Sequence, residues 1–240
     1  MQVKIPTKIT PCPIHEAVVG LTFETEIVSE AVFGIIYNEF KDKYGDVKKL
    51  PILNIPEEIR MKDAALMYQA WYHLIEGNHL ISIGPRMIGI SNKKDYSGWA
   101  IFSKKVTDAI EKIKRTGIIK NVTRVGIRYI NFFEFDIFKK IDLEVKLKNE
   151  LLNSEQMIIN TKIKREPFIN TLQILNNANM MDVDKKLVGS VIDIDTYTND
   201  NLNNFFNDYK DVLENGHNIE KELFFNLIKE DFLKELNPEY

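Results

Sequence analysis

Val122-Thr-Arg-Val-Gly-Ile-Arg-Tyr-Ile-Asn-Phe-Phe133 is the most strand-like run in the chain, and its reading decides the fold. β-Branched and aromatic residues dominate it, and the side-chain period of a strand is two. Arg124, Gly126, Arg128 and Ile130 therefore share one face, while Val125, Ile127 and Tyr129 share the other. One face is apolar and the other carries charge, as in an antiparallel sheet with only one side packed against a core. Before this run, Trp99, Phe102, Val106, Ile110 and Ile113 recur at spacings of three and four. That spacing predicts an amphipathic helix over 97–115, with Lys104, Lys105, Lys112, Lys114 and Arg115 on its wet side.

Working outward, Val19, Leu21 and Phe23 alternate as in a strand, and Val32 to Phe40 follow at helical spacing up to Gly45. Two apolar runs, Ala65–Leu74 and His79–Ile90, flank a Glu-Gly-Asn turn and predict a hairpin. The first half thus reads β-α-β-β-α-β. In the second half, Leu143, Leu147, Leu151 and Leu152 suit a short helix. Strands are expected at 157–165, 168–175 and 187–197, and the Asn-rich residues 176–186 have turn chemistry. From Thr198 a helical hairpin is expected, broken at Asn215-Gly216. The fold class is α+β: antiparallel sheets in two halves, 1–135 and 136–240 or one continuous domain, with helices over one face. No sequence repeat of fixed period is present, although two sheet-forming halves could still pack as structural relatives.

Composition narrows the function. The chain has 240 residues with 11 Gly and 8 Pro, too few for a low-complexity or collagen-like chain. A single cysteine, Cys12, excludes an internal disulfide framework and suggests a reducing compartment. With no signal-peptide pattern and no apolar run of membrane-spanning length, the expected location is the cytoplasm. Residues 1–120 hold 17 Lys/Arg against 14 Asp/Glu, and residues 121–240 hold 15 against 21. The acidic tail disfavours nucleic acid as a partner, leaving only the basic helix as a route to it.

Three stretches together resemble a sporadically distributed family of uncharacterised bacterial and archaeal proteins, often encoded in mobile or variable genomic regions. They are His15-Glu-Ala-Val-Val-Gly-Leu-Thr-Phe23, Leu80-Ile-Ser-Ile-Gly-Pro-Arg-Met-Ile-Gly-Ile-Ser91 and Arg124-Val-Gly-Ile-Arg-Tyr-Ile-Asn131. The last helix, His217-x-x-Ile-x-x-x-Phe224, and Leu236-Asn-Pro-Glu-Tyr240 fit the same pattern. The resemblance implies a role in genome defence, including antiviral defence, or in mobile-element biology. It carries over no catalytic residues.

Two constellations merit weight. Arg124 and Arg128, about 7 Å apart on one strand face with only Gly126 between them, would cradle a phosphate or carboxylate. Asp193 and Asp195 share a face within Val191-Ile-Asp-Ile-Asp-Thr-Tyr197 and would hold a divalent ion if a third acid joined them. Alternatively the two pairs neutralise each other across the sheet. His15 beside Glu16, and His217 with Glu220, are candidate acid–base pairs against packing or surface roles. No Walker loop, dinucleotide fingerprint or nucleophile elbow occurs, so no cofactor is expected. The reading is a non-enzymatic protein-binding or regulatory component that engages a protein partner or its own copy. The alternative is an enzyme or sensor for a phosphorylated ligand.

Overall fold

The computed structural model describes residues 4–152, 156–182 and 185–240. In chain order the elements are β1 (Ile14–Glu24), α1 (Ser29–Phe40), β2 (Asp46–Lys49), α2 (Glu57–Lys62), α3 (Ala64–Met67), β3 (Tyr72–Glu76), β4 (His79–Ile83), β5 (Met87–Lys93), α4 (Trp99–Thr116) and β6 (Asn121–Phe133). The second half adds β7 (Lys146–Leu147), β8 (Glu150–Leu151), β9 (Ile158–Arg165), β10 (Phe168–Asp182), β11 (Lys185–Thr198), α5 (Phe205–Leu227) and α6 (Glu230–Glu235). The fold is α+β.

The two halves share one nine-stranded sheet in the order β2-β3-β4-β5-β1-β6-β11-β10-β9, with every pairing antiparallel. Its topology repeats although its sequence does not. In each half a long strand is followed by a three-stranded meander whose last strand returns to pair with it, and then by a helix: β1, β3-β4-β5, α4 and β6, β9-β10-β11, α5. The long strands meet at the centre, where Gly20 lies opposite Gly126.

One side of the sheet is packed. Val19, Leu21 and Phe23 of β1 and Val125, Ile127 and Tyr129 of β6 are buried with Val32 and Ile36 of α1, Phe102, Val106 and Ile110 of α4, and Phe205, Tyr209 and Leu213 of α5. The same side of β10 and β11, through Leu172, Ile174, Ile192 and Ile194, packs against Leu223, Phe224 and Phe232 of α5 and α6. Among the described residues, the helices that join these two cores all lie on that side. Among the described residues no helix is long and apolar enough to cross a membrane.

Four local expectations are corrected. Residues 64–67 are helical rather than extended, and 79–90 form two strands turned at Gly84-Pro85, where Gly84 N–H donates to Met87 O. The leucines at 143–152 form no helix; the short β7–β8 hairpin stands there with Leu147 and Leu151 exposed. Residues 176–182 continue β10 through a bulge, with Asn177 at φ 50°; residues 183 and 184 of the expected turn lie outside the described residues. Finally, α5 runs unbroken through Gly216. A Cβ there would lie 2.5 Å from Ile127 Cδ1 and 3.1 Å from Phe168 Cε1, so this glycine is required by the close approach of helix to sheet, not by a helix end.

Candidate functional site

The Arg and Asp pairs meet on the side of the sheet opposite these helices. Arg128 Nε donates to Asp193 Oδ1 at 2.7 Å, with its Nη2 on the other carboxylate oxygen, and Arg124 Nη2 donates to Asp195 Oδ2 at 2.6 Å. The Arg124 guanidinium lies 4.3 Å from the Tyr197 ring centroid and fills the space left by Gly126, where a Cβ would come within 2.7 Å of its Nη1. The gap between the two arginines is thus occupied by one of them. Hydrogen bonds to Asp193 raise the affinity of Arg128 for its proton, whereas burial pushes the Asp195 carboxyl up against the pull of both arginines. Among the described residues no group of three His, Cys, Asp or Glu is placed to hold a metal ion. The geometry is the mutual neutralisation that the sequence left open.

The basic helix is similarly engaged. Lys112 Nζ donates to Glu39 O, Lys114 Nζ donates to Phe206 O, Arg115 faces Glu39 at 3.5 Å, and Lys105 contacts the His79 ring. These cations tie α4 to its neighbours.

A different set of polar groups converges on the packed side, in a cavity of about 520 Å³. Its walls are the N-terminal segment Pro6–Ile14, the loop from β5 into α4, the inward face of β6 and one side of α5. The N-terminal segment is fastened to the C-terminus: Thr7 N–H donates to Glu239 O, Thr10 N–H to Leu236 O, and Asn237 Nδ2 to Thr10 O. The loop is held in a sparsely populated backbone state, with Lys94 and Asp95 at φ 54° and 43° and Gly98 at φ 85° just before α4. It delivers Tyr96 and Trp99 to the cavity.

There Tyr96 Oη lies 3.2 Å from Tyr129 Oη, which lies 3.0 Å from His217 Nδ1. Trp99 stacks on the His217 ring at 4.3 Å and 11°, and its Nε1 donates to Glu214 Oε2 at 2.7 Å. One turn along α5, Glu220 is 3% exposed, and its Oε1 has no hydrogen-bond partner. A buried acceptor left unpaired costs about 1–3 kcal/mol and calls for an explanation, a bound group being one.

Burial sets the protonation of the site. It drives His217 down to about 3, with help from Lys221, and pushes Tyr129 and Tyr96 up; it also pushes Glu220 far above the carboxylate range. At neutral pH the site holds a neutral imidazole and two neutral phenols, and burial favours the protonated form of Glu220. An imidazole that protonates only near 3 is a feeble proton acceptor, and a phenol with a raised pKa is a feeble nucleophile. Hydrogen-bond recognition suits this arrangement better than acid–base catalysis.

Of the sequence candidates, His217 and Glu220 both lie in this cavity, but His217 bonds Tyr129 and Glu220 Oε1 has no partner, so the two do not form the expected acid–base pair. His15 lies in a second cavity on the opposite side of the sheet, with Lys48, His73 and Lys93. Sequence reasoning missed Tyr96, Tyr129 and Trp99 as site residues. A usable signal existed for Glu220 and His217. In α5 the buried stripe Tyr209, Leu213, Gly216, His217, Glu220, Leu223, Phe224 repeats every three to four residues, and two of its positions are polar. The expected helix break at Gly216 obscured that stripe. No family model matches the chain, and no curated protein matches it. Geometry alone therefore speaks for the site.

Proposed function

We propose that this chain is a non-enzymatic binding protein whose packed-side cavity takes up a small, uncharged, planar ligand with a hydrogen-bond acceptor. The observation that carries this reading is the buried, unpartnered Glu220 beside the Tyr129–His217 hydrogen bond. Burial favours the protonated, hydrogen-donating form of the Glu220 carboxyl, and the His217–Trp99 stack offers a planar apolar wall. The test is a screen of uncharged aromatic fragments, followed through Trp99 fluorescence in a Trp71→Phe background. Fragments should bind, and adding Glu220→Leu should weaken them at least ~10-fold through loss of one buried hydrogen bond. Failure to find any binder, or binding indifferent to Glu220→Leu, overturns the reading.

A protein partner is a second reading, in keeping with the role in defence or mobile-element systems that the family resemblance implies. Its support is the apolar display at β7–β8, where Leu147, Leu151 and Leu152 are 66%, 60% and 46% exposed. Co-purification from the native host should return one reproducible partner with the unaltered chain and lose it with Leu147→Glu/Leu151→Glu. No reproducible partner, or one retained by the double variant, counts against it.

A further inference from the structure

The side of the sheet opposite the core helices holds a second cavity, of about 600 Å³, with a different chemistry. Lys48 on β2 and His73 on β3 sit directly opposite each other, so the ammonium and the imidazole share one space. Lys93 on β5 faces the same space, and its one acidic neighbour, Glu16 on β1, stands at 3.9 Å. His15, His79 and Lys94 also line it, and Glu16 is the one acid among the described lining residues. Among the described residues Lys48 and His73 have neither an ion-pair nor a hydrogen-bond partner. Burial, and then the Lys93 and Lys48 charges, force His73 down to about 4, so both ammoniums act on the same imidazole.

Among the described residues Lys48 has no counter-ion and Lys93 shares one distant carboxylate, so an anion between the two ammoniums would be stabilised by both. Ile75, Leu80, Ile130 and Met180 add an apolar part to the lining, beside Gly77 and Asn78. The cavity is also far larger than a bare phosphate requires. We propose that this cavity binds a phosphate monoester of a small organic molecule, its phosphate held by Lys48, Lys93 and His73 and its carbon skeleton laid against Ile75, Leu80, Ile130 and Met180. Anion recognition thus moves away from Arg124 and Arg128, which are occupied by aspartates, to the other end of the same sheet face. The proposal is independent of the Glu220 cavity.

The test uses the full chain, with phenyl phosphate and inorganic phosphate as probes, titrated calorimetrically at low salt and followed by the NMR signals of the His73 ring. Phenyl phosphate should bind at least ~3-fold more tightly than inorganic phosphate, because only it reaches the apolar wall. It should shift the His73 signals, and Lys48→Met/Lys93→Met should weaken it at least ~10-fold. Glu220→Gln should leave it unchanged. The proposal is overturned if phenyl phosphate at millimolar concentration leaves His73 unmoved, or if the double-lysine variant, folded by circular dichroism, binds it as the unaltered chain does. Equal affinity for the two phosphates overturns the organic part.

Discussion

Between pH 7 and pH 4 the folded state is expected to lose about 3 kcal/mol through His217 alone, and His217→Gln is expected to abolish that loss. The imidazole is lowered from 6.5 to about 3 by burial, so its neutral form is the one the fold accommodates. A group depressed in the folded state contributes its full stability above its unfolded value. That stability is lost as pH falls from about 6.5 through the folded value near 3. At pH 4 the unfolded chain has taken up the proton and the folded chain has not. Glu220 works in the opposite sense. Its carboxyl is raised, so its contribution is fully present below the ordinary carboxylate range and declines as pH rises above it. His73, lowered to about 4, acts in the same direction as His217 but is less buried. The comparison that isolates His217 is therefore urea unfolding of the unaltered chain and of His217→Gln at pH 4, 5, 6 and 7. Glutamine keeps an acceptor for Tyr129 without a titrating group. Parallel stability curves for the two proteins would show that His217 is not the acid-sensitive group.

Gly216→Val is expected to destabilise the chain by roughly 3 kcal/mol, the upper end of what overpacking a core costs. The position faces Ile127, which is fully buried, and Phe168, 3% exposed, so a valine must displace side chains that are packed in the core. Because valine is a better helix former than glycine, propensity alone predicts a small gain. The sign of the measured change thus separates the two explanations. A shift in the urea midpoint toward lower denaturant, with Trp99 emission altered as the adjacent His217 is pushed off its stack, is the expected pattern. A change smaller than about 0.5 kcal/mol would mean that helix and sheet do not approach as closely at this point.

Much of this fold is legible locally. The alternation in Val122–Phe133 and in Val19–Phe23 marks strands with one wet and one dry face, and the three-and-four spacing from Trp99 to Ile113 marks α4. Local reading failed where one residue type serves two purposes. Gly216 resembles a helix end but is a contact point. The leucines near 147 resemble a helix face but sit exposed in a hairpin, and the asparagines after 176 resemble a turn but form a bulged strand.

The site was less legible, for a reason of distance along the chain. Trp99 and Glu214 are 115 residues apart, Tyr129 and His217 are 88 apart, and Arg128 and Asp193 are 65 apart. Periodicity tells which face of its own element a residue occupies. It carries no information on which remote element that face will meet.

By itself, then, the sequence determined the α+β class, the charged face of β6, the apolar stripe of α4 and the acidity of the C-terminal helices. Only the tertiary structure decided that Arg124 and Arg128 meet Asp195 and Asp193, that both halves share one sheet, and that His217 and Glu220 enter a cavity with Tyr96, Tyr129 and Trp99. The physical reason is that strand register and helix docking are settled by the packing of the whole apolar face, so a polar group's partner depends on pairings made far away in the chain.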